Sequence, residues 1–270
     1  MKSKLFCTDL DDTLLRGDKS IPEGNIKAIK EMTEAGHLFA IVTGRSINGG
    51  RMVFDQLGIG THNCYLASFH GNVIYDLEAE RIIFKNGMDQ QFTIELLKAC
   101  ADAGIYAQTY TPESVLIPED CDISRKFLAI TNEQYKLIGD YESLKDLILP
   151  KVIVVDYDHP ERLPVFQQQF MKSQEGRANS FFSCPQYLEY CDYGYDKGVG
   201  LSNLAKALDI DISDVVAVGD ERNDTPMLQV AGIGCAMING HSEAKEAADY
   251  VTINDNEHCG VAEVIQKFIL

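Results

Sequence analysis

The sequence predicts an α/β protein, a doubly wound parallel sheet interrupted by an inserted α+β domain. Two observations carry this. Both ends of the 270-residue chain alternate short, near-continuous apolar runs with helical stretches, and strands apolar on both faces need helices covering both sides of a sheet. The middle loses that regular alternation. The expected division is therefore a core of residues 1–85 and 191–270 around an insert of residues 86–190.

Leu5 to Asp9 reads as the first buried strand. The stretch from Pro22 to Ala35 places Ile26, Ile29 and Met32 on one helical face, with Pro22 suited to its first turn and Gly36 to its end. "HLFAIVT" (37–43) is a second strand, followed by Gly44 and another helical stretch, and "NCYLASF" (63–69) is a third strand. In the last third, "KGVGLSNLAKAL", "DTPMLQVA", "HSEAKEAA" and "GVAEVIQKFI" read as helices. "DVVAVGD", "GIGCAM" and "DYVTI" read as the strands between them. Within the insert, "DQQFTIELLKACADAG" is an amphipathic helix with Phe92, Leu96, Leu97 and Cys100 on its buried face. "IYAQTY", "ESVLI" and "KFLAI" look strand-like. "KVIVVDYDHPERLPVFQQQF" reads as strand, turn and helix, and "NSFFSCPQYLEYC" as one or two further strands.

Composition narrows the function. A hydrophobic fraction of 45% with 24% charged residues is that of a folded domain rather than a disordered chain. A formal net charge of -17 disfavours nucleic acid and anionic membranes, which need clustered Lys and Arg. A small phosphorylated ligand remains compatible, because one metal ion and one lysine reverse the local field. The eight cysteines are scattered without a C-x-x-C pair, and Cys7 and Cys235 lie in buried-strand runs. The N-terminus reaches an acidic cluster before a signal-peptide core could form, and no apolar run approaches the roughly 18 residues of a membrane span. Reduced thiols in a cytoplasmic protein are the expectation.

In a doubly wound sheet, function gathers beyond the carboxyl ends of the strands. The first strand runs into "TDLDDT", which crowds Asp9, Asp11 and Asp12. The second ends in Thr43-Gly44-Arg45. "VVAVG" ends in Asp220, with Asn223 and Asp224 close behind, and Lys197-Gly198 opens the helix before it. Hard oxygen ligands from separate strand ends suit Mg²⁺. A carboxylate can be a nucleophile, a second one two residues on can exchange protons with the leaving oxygen and with water, and a hydroxyl, an amide and an ammonium can hold phosphoryl oxygens.

With these residues in place, "DLDDTLL" resembles the first motif of the haloacid dehalogenase superfamily, "VTGR" its second, "DKG" its third and "GDERND" its fourth. The closing run "AGIGCAMINGHSEAKEAADYVT" followed by "GVAEVI" is similar to the Cof-type phosphatases of that superfamily, and the insert stands where the family places a type IIB cap. The resemblance implies a Rossmann-like hydrolase core with a substrate-selecting cap. It makes Asp9 the nucleophile and a Mg²⁺ ligand, and Asp11 the general acid and base with its carbonyl on the metal. It places Thr43, Gly44, Lys197 and Asn223 on the substrate phosphate. Asp220 becomes the third protein ligand to Mg²⁺, and Asp224 orients that shell. Asp12 and His70 depart from the family, which commonly has Gly at the first position and Asn at the second.

Each residue also has a plainer reading. Thr43 would cap the following helix, Asp224 would cap "TPMLQV", and Lys197 would be a surface lysine, although a cation there opposes the helix dipole. Arg45 divides between substrate contact and a surface ion pair. Arg125 and Lys126 read better as a solvated face, His70 as structural, and Asp12 as turn geometry. The leading expectation is a Mg²⁺-dependent phosphatase acting on a small phosphorylated metabolite, a sugar or polyol phosphate or a phosphorylated cofactor, with no protein partner implied. The alternatives are a phosphomutase of the phosphomannomutase type and a non-catalytic phospho-ligand-binding protein.

Overall fold

The computed structural model describes residues 3–270, which fall into two units: the chain up to Phe84 together with Asp196–Leu270, and Lys85–Tyr195. The first unit begins with β1 (Leu5–Thr8), α1 (Glu23–Glu34), β2 (Leu38–Val42), α2 (Ile47–Phe54) and β3 (Cys64–Ser68). The ribbon β4 (Val73–Asp76) and β5 (Arg81–Lys85) then leads into the second unit. There α3 (Gln90–Asp102), β6 (Tyr106–Tyr110), β7 (Val115–Ile117), α4 (Asp122–Thr131), β8 (Tyr135–Leu137), β9 (Lys151–Val155), α5 (Arg162–Gln174), β10 (Ala178–Cys184) and β11 (Tyr187–Asp192) follow. The chain returns to the first unit with α6 (Lys197–Ala207), β12 (Val215–Gly219), α7 (Thr225–Val230), β13 (Ile233–Ala236), α8 (Ser242–Ala247), β14 (Tyr250–Val251) and α9 (Gly260–Phe268).

The sheet of the first unit runs β14-β13-β12-β1-β2-β3-β4-β5. From β14 to β3 the pairs are parallel, with Leu5 level with Leu38 on one side and Val215 on the other. Side chains alternate between faces along a strand. Phe6 therefore joins the core beneath α1 and α9, with Ile29, Met32, Val261 and Ile265. Leu5 and Cys7 join the core beneath α6 and α7, with Leu201, Leu204 and Met227. That double cover is why the strands read as unbroken apolar runs. The purely parallel expectation needs one amendment: β4 turns back antiparallel on β3, and β5 extends that edge.

Strand order fixes where a site can form. From β1 the chain steps outward to β2 and β3, and after the insert it steps outward the other way, from β12 to β13 and β14. The direction reverses between β1 and β12, and ligands of open α/β sheets bind beyond the carboxyl ends at such a point. Asp9 and Asp220 are the first residues past those two strands.

The second unit is an α+β layer with strand order β10-β11-β9-β6-β7-β8. Its pairs are antiparallel except β7–β8, and α3 and α5 pack on one face through Phe92, Leu96, Leu163 and Phe166. One strand expectation fails here, because "KFLAI" lies in helix α4. Cys121 and Ser124 cap that helix reciprocally, and Asn132 ends it in the left-handed region. Arg125 pairs with Asp120 and Asp122, and the Lys126 ammonium sits 3.9 Å from the Tyr157 ring centroid. All eight cysteines are free thiols, and among the described residues no helix is long and apolar enough to cross a membrane.

Candidate active site

β1 carries Asp9 to the rim of the sheet, where its N–H donates to the Val218 carbonyl of β12 at 3.0 Å. Lys197 is the first residue of α6, whose end is capped by Asp196 accepting from the Gly198 and Val199 amides. The lysine is 2% exposed, so it is not a surface lysine. A buried ammonium needs partners. Its Nζ lies 2.6 Å from Asp9 Oδ1 and 2.5 Å from Asp224 Oδ1.

Asp224 is held from both sides. Its Oδ2 accepts from the Asp220 and Glu221 amides, each at 3.0 Å. Both oxygens are thus engaged within the protein, and the side chain makes no capping bond to α7. Gly219 permits this fold-back, since a Cβ there would lie 2.6 Å from Asp224 Cβ. Asp220 Oδ1 accepts from Thr13 Oγ1 at 2.6 Å, a role for Thr13 that sequence reasoning missed. Carboxylate oxygens of Asp9, Asp220 and Asp224 lie within 4.8 Å of one another, all three residues being buried.

Asp11 stands apart from this trio. Its half-exposed carboxylate accepts from Arg45 at 2.7 and 2.9 Å and from Lys19 at 2.9 Å. Arg45 therefore engages the second acid of the motif. Asp12 occupies the left-handed region at φ 58°, the conformation that glycine favours and aspartate tolerates. Its carbonyl accepts from Asn239 Nδ2 at 2.8 Å, and Asn256 Nδ2 donates to the Leu15 carbonyl at 3.0 Å. Glu257 accepts from the Gly17 amide at 2.9 Å. Three side chains from the last fifth of the chain thus brace the acidic loop, and no local pattern marks them.

Thr43 is buried at the end of β2, with Oγ1 accepting from the Arg45 amide at 3.2 Å, and Gly44 lies between them. The helix cap is Ser46, not Thr43: its side chain accepts from the Gly49 amide at 3.0 Å. Asn223 is exposed on the short turn that brings Asp224 back. His70 is buried on the turn after β3.

Electrostatics separate the acids. Burial, with Asp224 alongside, lifts Asp9 well above the ordinary carboxylate range despite Lys197. Burial pushes Asp220 up to about 8, against the Thr13 hydrogen bond and with repulsion from Asp9 and Asp224. Burial acts the same way on Asp11, but Arg45 and Lys19 outweigh it and hold that carboxyl below its usual value. Burial opposes the Lys197 charge, yet Asp224 and Asp9 keep it above the ordinary lysine range. Asp9 and Asp220 are thus short of positive charge. Paired buried oxygens with that deficit fit a hard divalent cation.

The family profile of haloacid dehalogenase-like hydrolases matches residues 6–265. The chain is 28% identical over 292 residues to the 5-amino-6-(5-phospho-D-ribitylamino)uracil phosphatase YwtE of Bacillus subtilis, covering 98% of each. It is 25% identical over 294 residues to the phosphatase YwpJ of Bacillus subtilis, covering 98% of this chain and 100% of that one. A crystal structure of a haloacid dehalogenase-like hydrolase from Bacteroides thetaiotaomicron superposes with a TM-score of 0.86 at 26% identity, covering 98% of this chain and 99% of that one. With the profile spanning nearly its whole length, the chain belongs to the haloacid dehalogenase-like hydrolase family.

Proposed function

We propose that the protein is a Mg²⁺-dependent phosphatase that hydrolyses a small phosphorylated metabolite, a sugar or polyol phosphate or a phosphorylated cofactor. The observation that carries this reading is the buried Asp9–Lys197–Asp224 chain beside Asp220. It sets an ammonium against a carboxylate that is free to attack only if further positive charge is supplied. The phosphatases among the relatives support the same chemistry.

In this reading substrate draws Arg45 and Lys19 off the Asp11 carboxylate, which then takes up a proton from solvent. The Asp9 carboxylate attacks phosphorus as the ester P–O bond breaks, and Asp11 gives that proton to the leaving oxygen. Asp11 then takes a proton from water as the water oxygen attacks phosphorus, releasing inorganic phosphate and restoring Asp9. Lys197, Thr43, the Gly44 amide and Asn223 hold the phosphoryl oxygens. Asp224 keeps Lys197 aimed. Asp9, Asp220 and the Asp11 carbonyl would hold the Mg²⁺, which when bound offsets the negative charge of the carboxylates and the phosphoryl group. Selection of the leaving group falls to the inserted unit.

The test is phosphate release from a panel of phosphorylated metabolites, with Mg²⁺ and with chelator. Turnover that chelator abolishes and that Asp9→Asn lowers by at least about a thousandfold supports the reading. Turnover that survives Asp9→Asn would falsify the covalent route. Return of the phosphoryl group to the sugar without phosphate release would make the enzyme a mutase.

A further inference from the structure

The turn after β3 holds three successive residues in the left-handed region: Phe69 at φ 52°, His70 at 58° and Gly71 at 88°. Histidine tolerates this conformation, but for a phenylalanine it is unfavourable and persists only where the surroundings enforce it. One side of the turn is tied to the end of β2. The His70 amide donates to the Thr43 carbonyl at 2.8 Å, and the Phe69 amide donates to the Arg45 carbonyl at 2.9 Å. The imidazole lies against Gly44, the residue between Thr43 and Arg45. A Cβ on Gly44 would stand 2.7 Å from its Cε1 and 2.8 Å from its Nε2.

The other side of the turn meets α6 backbone to backbone. A Cβ on Gly71 would lie 2.4 Å from Gly200 Cα, and one on Gly200 would lie 2.6 Å from the His70 carbonyl oxygen. Gly200 is three residues beyond Lys197, so this contact falls on the first turn of the helix that Lys197 opens. The turn is thus wedged between the segment carrying Thr43 and the helix carrying Lys197, with no space left on either side. Close-packed groups of this kind transmit displacement rather than absorb it.

We propose that His70 is a positioning residue: its ring and backbone set the separation between Thr43 and Lys197, and so the width of the phosphoryl cradle. This rests on the phosphatase reading for what the cradle holds, but the spacing itself does not depend on it. Asparagine tolerates the left-handed region without the ring. His70→Asn therefore keeps the turn and empties the space over Gly44. The Gly44 segment then relaxes toward the turn, and the two phosphoryl contacts lose their common register.

The test is a double-mutant cycle of His70→Asn and Gly44→Ala, read with para-nitrophenyl phosphate as substrate and inorganic phosphate as competitive inhibitor. His70→Asn is expected to lower kcat by about tenfold or more and to weaken phosphate inhibition, while the protein stays folded by thermal melting. Gly44→Ala clashes with the ring when His70 is present, but its methyl fills the vacated space in the His70→Asn background. The double variant is therefore expected to recover activity, with a coupling of at least about tenfold. Equal losses from Gly44→Ala in both backgrounds overturn the proposal. So does a His70→Asn enzyme whose kcat and phosphate inhibition stay within about twofold of the parent. The amide resonances of Gly44 and Lys197, recorded in parallel, decide the spacing without turnover. Shifts at both positions in His70→Asn support it, and shifts at one or neither overturn it. A parent protein that hydrolyses no phosphate ester would sink the phosphatase reading, and the amide shifts would still judge the role of His70.

Discussion

Lys197 Nζ bridges Asp9 and Asp224 at 2.6 and 2.5 Å, joining the end of β1 to the turn after β12 through one buried ammonium. Replacing it with methionine keeps most of the volume and leaves two carboxylates facing each other without a cation. Removing one partner of a buried ion pair costs about 3–5 kcal/mol, and Asp9, already raised, then takes up a proton against Asp224, which keeps the loss within that range. Urea denaturation of Lys197→Met in chelator should show a loss of that order. Turnover should fall by at least about a hundredfold. Lys197→Arg should not restore it, because the planar guanidinium cannot place one compact charge between two oxygens. A fully active arginine variant would mean that Lys197 is only structural.

The raised acids make metal binding and stability depend on pH with a definite sign. Asp220 titrates near 8 in the folded protein, and Asp9 is also raised. In the unfolded chain such groups ionise near about 4. The folded state therefore keeps protons that the unfolded state releases. The resulting stabilisation is complete below about pH 4 and is lost as pH rises through 8. Metal-free protein should lose melting temperature across that window. Mg²⁺ needs the ionised carboxylates, so the rise in melting temperature it produces should be larger at pH 8.5 than at pH 6. A smaller rise at the higher pH would show that the ion binds elsewhere.

Much of this site was legible because its chemistry sits at strand ends, and strands covered on both faces announce themselves as apolar runs. Leu5 to Cys7 before Asp9 and Val215 to Val218 before Asp220 are the clearest cases. What was not legible depends on distant partners. Nothing near Thr13 in sequence reveals that it donates to Asp220, and nothing near Asn239 reveals that it holds the Asp12 carbonyl. Helix α4 was misread because Phe127, Leu128 and Ile130 sit close together, too short a cluster to show a period. Gly71 and Asn72 mark a turn after β3, but nothing in the sequence reveals that its left-handed run already begins at Phe69 and His70.

The core of the inserted unit contains a polar atom with no counterpart. Tyr190 is fully buried among Phe92, Phe170 and the strands of the second sheet. Its hydroxyl has no hydrogen-bond partner among the described residues. A buried hydroxyl left unpaired forfeits its hydration for nothing, a loss of about 1–3 kcal/mol. Tyr190→Phe keeps the ring contacts and removes that loss. It should raise unfolding stability by about 1 kcal/mol in a denaturant titration. A destabilised phenylalanine variant would mean that the hydroxyl is satisfied in solution.

The third acid of the first motif is separable from the other two. Asp12 stands at φ 58°, is exposed, and offers its backbone carbonyl to Asn239. Asparagine tolerates the same conformation and leaves that carbonyl in place. Asp12→Asn should therefore keep kcat within about twofold, since it preserves both the left-handed turn and the carbonyl contact and removes only an exposed charge. A β-branched residue is a poor fit to the left-handed region, at about 1–2 kcal/mol. Asp12→Val should lose stability by that amount in urea denaturation and lose activity with it, because the strained turn lies between Asp11 and Thr13. If Asp12→Asn instead removed turnover as Asp9→Asn is expected to, the third carboxylate would have to be counted among the reacting groups.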